Sequence, residues 1–317
     1  MPANKYSLPV RWVFFTALTF IAGLVAVYPS PFFSLFALAM PLPLILLVLD
    51  ADVRSGFLAL LTAGVLVAVF SSPVAAFSVT AHYGVLGVVF GLLFKNHVAP
   101  GRSILFGAVS AVFFSSLSLA LLYGMTGHNP LALGEEGRKL AAEWVNFQFS
   151  SGLSPGGLDL ETARRYVHIF EFFIPGQLFV SMVASAVLTC FLALPLLRRL
   201  NYVVVPAPIF STLSYPWYTV WILIGGLSLT LLGDHFLLDR AAWLGKNILF
   251  VLIYVYFFLG LSVAAYYYHR VKLARPVKLV LIFLAILYIP FSAALLIALG
   301  VIDSLANIRR LPEKDKP

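Results

Sequence analysis

Few side chains in this sequence could do chemistry, and those that could stand in apolar surroundings. His82 and Tyr83 follow Ser78 and Thr80 within an otherwise greasy stretch. Glu171 lies among Phe170, Phe172 and Phe173, one helical turn after His168 and about two turns before Gln177. Asn247 opens another apolar run. Imidazole, phenol, carboxylate and amide groups are expensive in hydrocarbon and usually face a cavity or a partner. His82, Tyr83, His168, Glu171 and Gln177 are therefore candidate ligand-binding residues, provided that the helices bearing them meet at the outer side and line one polar pocket. The competing reading for His82 is a histidine hydrogen-bonded between helices. For Glu171 it is a residue at the level of the lipid headgroups.

Reactive machinery is not expected. The sequence has no HExxH, no Walker glycine loop and no CxxC pair. The apolar runs contain no paired aspartates of the kind an intramembrane aspartyl protease needs. A lone cysteine, Cys190, excludes an internal disulfide and a multi-cysteine metal site, and reads as a small buried hydrophobe. The chain is thus expected not to be an enzyme, with no catalytic residues, no metal site and no cofactor. Without a nucleotide-binding motif, active transport through it would need a separate ATPase motor or an ion gradient.

The elements that must position these residues are set by charge. Residues 12–49, 55–94, 103–134, 172–197, 200–233, 247–269 and 279–302 carry no Lys, Arg, Asp or Glu. A helical crossing of the hydrocarbon core takes about 20 apolar residues, so each run holds one crossing or two. The chain is 61% hydrophobic and 11% charged, against about 25% charged in a soluble domain. In lipid every backbone N–H and C=O needs an internal partner, which leaves helices or closed barrels. Runs such as Ile248–Leu261 lack the alternation of a barrel strand. The expected fold is therefore all-α, a polytopic transmembrane helix bundle of eight or nine spans with the N-terminus cytoplasmic.

Nine spans are laid out at about 12–29, 33–49, 56–70, 74–94, 103–124, 175–197, 217–233, 246–268 and 278–299. The first is stopped by Pro29 and Pro31 and reads as an uncleaved span rather than a signal peptide. Pro41 and Pro43 predict a kink or partial unwinding in the second. An amphipathic outer segment covers 125–170, with Leu133, Leu140, Trp144 and Phe147 on one helical face; Ser154–Gly157 break it and Asp159 caps a second helix. Lys and Arg gather at Lys5/Arg11, Arg54, Lys95/Arg102, Arg198/Arg199 and Arg270–Lys278, the pattern of cytoplasmic loops. The net charge of +8 is therefore assigned to topology and anionic lipid headgroups, not to nucleic acid. Nine crossings would leave the tail with Arg309, Arg310, Lys314 and Lys316 outside, against that rule. A re-entrant span and a true count of eight would remove the conflict.

Small residues recur at four-residue spacing: Ala22/Ala26, Gly87/Gly91, Gly107/Ala111 with Ser115, and Ser181/Ser185 with Thr189. Such stripes let helix backbones approach closely. They are candidate helix-packing residues within the chain, or a docking face for another membrane subunit.

Several segments resemble the YybS-like family of uncharacterised bacterial multi-pass membrane proteins. They are Leu196–Leu200, Ser214–Trp217, Gly245–Ile248 with Gly260–Val263, and Leu299–Asp303 followed by Ile308–Leu311. The tail departs from the family pattern, since Ser304–Asn307 replace the aromatics expected between Asp303 and Arg309. The first six spans of that family are similar in layout to the substrate-capture subunits of energy-coupling-factor vitamin transporters, six-helix bundles with both ends cytoplasmic. The resemblance implies a bundle over 1–199, with Ala22 and Ala26 on its coupling face, and a C-terminal bundle of about three spans over 200–317. The leading expectation is an integral protein of the bacterial inner (plasma) membrane that captures a small molecule under the 125–170 segment. The competing expectation is a membrane scaffold or assembly factor with no ligand, its partners on the loops Arg198–Tyr215 and Arg270–Lys278. Expected partners are membrane lipids and other membrane subunits or a separate ATPase motor. A bundle packed solid with apolar side chains would favour the scaffold, and an enclosed polar outer cavity would favour capture.

Overall fold

The structure, a computed structural model, describes residues 8–27, 36–127, 129–150, 160–206, 209–272 and 274–311. Every regular element among them is helical. The expected stop at Pro29 and Pro31, the break at Ser154–Gly157, the Asp159 cap, and Lys314 and Lys316 lie outside the described residues, and so does Lys5. Contacts divide the chain into two units, Met1–Val167 with Leu178–Ala207, and His168–Gln177 with Pro208–Pro317.

The first unit is built from α1 (Leu8–Val27), α2 (Pro41–Asp50), α3 (Val53–Phe70), α4 (Pro73–Val79), a π-helical turn (Thr80–Gly84), α5 (Val85–Lys95), α6 (Pro100–Thr126), α7 (Glu135–Ser150) and most of α9 (Ile174–Arg199). The helix α8 (Leu160–Phe172) precedes α9. Local chemistry sets the starts. Asp52 caps α3 by accepting from Ser55 N at 2.7 Å, and Ser72 caps α4 just ahead of Pro73. The core of this unit joins Ile45, Leu86, Phe90, Phe94, Met182, Cys190 and Leu197. A second cluster joins Met40, Leu44 and Leu47 with Ala59 and Leu60.

The expected span at 33–49 is resolved differently. Pro41 and Pro43 occupy the first turn of α2, where a missing N–H costs nothing. The chain instead unwinds in the turn just before Pro41. At 10 residues α2 is about 15 Å long, half of a hydrocarbon core of about 30 Å. In α7, Val145 is buried while Leu140 is exposed.

The second unit holds α10 (Val220–His235), α11 (Asp239–Arg270), α12 (Arg275–Leu287) and α13 (Ile289–Ala306). Among the described residues 8 helices are long and apolar enough to cross a membrane: α1, α3, the continuous α4–α5, α6, α9, α10, α11 and α13. The single span expected at 278–299 is a correction. It is broken at Tyr288, whose φ of −109° and ψ of 49° are not helical, and Pro290 lies in the first turn of α13. Both ends of the broken pair return to the same end of α11. At the start of α12, Lys278 Nζ donates to Tyr268 O at 2.6 Å. Beyond α13, Tyr266 Oη donates to Arg309 O at 3.3 Å and Tyr267 Oη to Ile308 O at 3.1 Å. Arg309 and Arg310 thus share the end of the unit that carries Arg270, which removes the conflict with the charge rule. A C-terminal reporter fusion is expected to be active on the cytoplasmic side. Activity only on the outer side would refute this arrangement.

Candidate functional site

In the first unit, polar groups converge where α1, α3 and α6 start and α2, α5 and α9 end. Arg11 on α1 pairs with Asp50 at the end of α2, Nη1 to Oδ2 at 3.2 Å. The other carboxylate oxygen of Asp50 accepts from the hydroxyl of Tyr202, just past α9. Burial, reinforced by the hydrogen bond to Asp50, pushes the Tyr202 phenol well above its ordinary value, so it stays a donor. Lys95 at the end of α5 donates to Val48 O at 3.1 Å and Ala51 O at 2.5 Å, satisfying carbonyls that the last turn of α2 leaves open. Trp12 Nε1 donates to Ser55 O at 3.2 Å and ties α1 to α3.

These bonds frame an open cleft of about 470 Å³. Pro9, Trp12 and Leu47 give it an apolar wall, and Asp50, Asp52 and Ser55 a polar one. The Asp52 carboxyl is held below its usual value by the backbone N–H and hydroxyl of Ser55, so it is a carboxylate at neutral pH. Arg11 Nε is buried with no partner among the described residues. The cleft can hold a side chain by packing and hydrogen bonding.

The residues read from the sequence as a ligand pocket are placed as follows. His82 and Tyr83 stand in the π-helical turn, stacked edge to face at 4.4 Å. His82 Nδ1 meets Ser115 Oγ of α6 at 2.5 Å, a bond between helices. His168, Glu171 and Gln177 belong to the second unit. There His168 is exposed and Glu171 half-buried, and Gln177 Nε2 donates to Phe170 O at 3.2 Å. Gly87 and Gly91 are buried against α2, where a Cβ would meet Leu44 and the Pro41 backbone, or Val48. Gly107 packs on the Phe90 ring, Ala111 lies in the core, and Ala22 packs on the Met40–Leu44 cluster. Ala26 is half-buried on α1.

Two polar constellations of the second unit were not read from the sequence as sites. Asn247 Oδ1 accepts from Gly176 N at 3.0 Å, and its amide donates to Phe172 O and Trp243 O. Phe173 stacks on Phe250 beside it, centroids 4.9 Å apart. More notable is Arg309, only 2% exposed, paired with Asp303 at 5%. Its Nε and Nη2 reach Asp303 Oδ2 at 3.1 and 2.6 Å. Nη1 donates to Ser211 O and Ser262 Oγ, both at 2.8 Å, and Nη2 to Leu213 O at 2.6 Å. A guanidinium has five N–H donors, and here each has an acceptor. The bonds fasten the segment before α10, the middle of α11 and the end of α13 to one another.

The sequence of most of the chain, across both units, matches a known family. Residues 17–304 match the family described as predicted membrane protein (DUF2232). The chain belongs to that family. It is 26% identical over 305 residues to an uncharacterized protein, YybS, of Bacillus subtilis (strain 168), across 91% of this chain and 93% of that protein. This agrees with the resemblance carried by Leu196–Leu200, Gly260–Val263 and Leu299–Asp303. No solved structure matches the chain. These comparisons do not show a likeness to energy-coupling-factor capture subunits. What this DUF2232 chain is at the coarse level is clear: a membrane protein with several apolar helices.

Proposed function

We propose that this DUF2232 protein is a membrane-embedded assembly scaffold, without enzymatic activity, in the bacterial plasma membrane. Its basic end faces the cytoplasm, and a partner protein docks in the cleft beside Trp12. The observation that carries this reading is the contrast between a filled interior and a rigidly framed surface cleft. Phe90, Leu86, Met182 and Leu197 fill the middle of the first unit. The cleft is open and held by the Arg11–Asp50–Tyr202 chain and the Trp12–Ser55 bond. An indole edge beside a fixed carboxylate suits an apolar side chain flanked by a hydrogen-bond donor, the anchor typical of protein interfaces.

The capture reading is favoured by one observation, the π-helical turn at His82, since such turns cluster at functional sites. Against it, His82 is already bonded to Ser115, and Gly87 and Gly91 are spent on internal packing. A photo-crosslinking residue at Ser55, irradiated in native membranes, separates the two. The scaffold predicts one reproducible protein adduct, reduced about tenfold by Trp12→Ala, in keeping with an anchor worth more than about 1 kcal/mol. Adducts to lipid alone overturn it. Purification of the chain with an ATPase subunit and a bound small molecule would put capture in its place.

A further inference from the structure

The second unit contains a groove that the docking reading does not use. It has a volume of about 720 Å³ and lies between α11, α12 and α13. The groove exists because α12 touches α11 near Lys278 and Tyr268 and is then broken from α13 at Tyr288. Phe257 and Leu261 on α11, Leu281 and Ile286 on α12, and Leu296 on α13 give it apolar walls. Ser292 lines it too, but its hydroxyl is turned to the carbonyls of Ala285, Tyr288 and Ile289. The inside therefore offers hydrocarbon and no free donor of its own.

One end differs. Lys278 Nζ stands there, 4.6 Å from the centre of the Tyr268 ring, with Tyr268 O taking one of its three N–H donors. Arg270 and Lys272 are exposed at the same end of α11. Among the described residues the acid of that end is Asp303, which is buried against Arg309. From Lys278 to Leu287 the rise along α12 comes to about 14 Å, close to one leaflet of a hydrocarbon core about 30 Å thick. An apolar slot one leaflet deep, with the Lys278 ammonium lining one end and, on the adjoining end of α11, Lys272 and an Arg270 that lies over the Tyr266 ring, has the dimensions and charge of a single phospholipid.

We propose that this groove is a binding site for an anionic glycerophospholipid. One acyl chain lies along α12, and the phosphate lies against Lys278, Arg270 and Lys272. Basic pockets between membrane helices on the cytoplasmic side hold anionic headgroups by charge, each cation changing affinity about fivefold. The proposal is independent of the docking cleft in the first unit, and neither stands or falls with the other.

The test uses the full chain in nanodiscs of phosphatidylglycerol mixed equally with phosphatidylcholine, released into native mass spectrometry. Retained phosphatidylglycerol is expected to exceed phosphatidylcholine at least about fivefold. Lys278→Gln is expected to lower that preference about fivefold. Ala285→Trp fills the slot and is expected to remove the retained lipid, with circular dichroism confirming that the helices persist. Equal retention of the two lipids, or a preference untouched by Lys278→Gln, overturns the proposal even if Ala285→Trp fails to fold. So does a mass showing a second copy of the chain in place of lipid.

Discussion

Replacing Arg309 by alanine is expected to destabilise the second unit by about 3–5 kcal/mol, the range for removing one partner of a buried ion pair. The loss has two parts. Asp303 would be left as a buried carboxylate without its counter-charge. The carbonyls of Ser211 and Leu213 would lose their donors, each a further desolvation cost. Arg309→Lys is expected to rescue only part of this. An ammonium has three donors on a flexible stem and cannot copy the planar fork that reaches Asp303 twice while meeting two loop carbonyls. The measurement is thermal unfolding of the purified chain in detergent, with the Asp303→Leu/Arg309→Met double variant alongside. Breaking a pair is costly, whereas replacing both charges with apolar groups is close to neutral. The double variant should therefore be more stable than Arg309→Ala. A melting curve for Arg309→Ala that overlays wild type would show that the ion pair is not formed.

That cluster also shows where the sequence stops being informative. Charge-free runs identify apolar helices because lipid leaves the backbone no other choice, and α1, α3, α6, α9, α10 and α11 lie where those runs predict. They do not show where a run turns back on itself. Residues 279–302 are uninterrupted by charge, so the break at Tyr288 is announced only by Pro290. The same holds for Arg309. In sequence it is one more cation in a polar tail. Only the turn after α13, with Asn307 at a φ of 42°, swings it back onto Asp303. The available signal was an acid ending an apolar helix with an arginine six residues on, a pair that gains most by meeting. For His82 the residue type was enough to state both outcomes, and the partner Ser115 came from a separate helix at a spacing no local pattern encodes. The small-residue stripes were legible as close-packing positions. Which helix each would meet was not, because Gly87 and Gly91 receive α2, the short element whose length the sequence overstated.

The second large effect follows from the crossing of α11 and α13. There Gly260 faces the backbone of Leu296, and Gly300 faces the carbonyl of Tyr256. A Cβ built on Gly260 would overlap the Leu296 carbonyl, and main-chain atoms cannot swing aside as a side chain can. Gly260→Ala therefore forces the helices apart along their whole contact. It loosens Leu252, Tyr256 and Leu259 from Ile297 and Val301 and pulls Asp303 and Arg309 away from Ser262. Overpacking of a core usually costs about 1–3 kcal/mol, and a backbone clash belongs at or above the top of that range. Gly225→Ala is the matched control. Gly225 is also helical, but nothing lies within 4 Å of the Cβ it would gain. Removing that glycine should be neutral or stabilising by up to about 1 kcal/mol, since alanine is the better helix former. In the same detergent and at the same protein concentration, Gly260→Ala is expected to melt well below wild type and Gly225→Ala at or above it. Equal melting of the two would mean that α11 and α13 do not meet at their glycines. The placement of the C-terminal arginines at the basic end would then lose its main support.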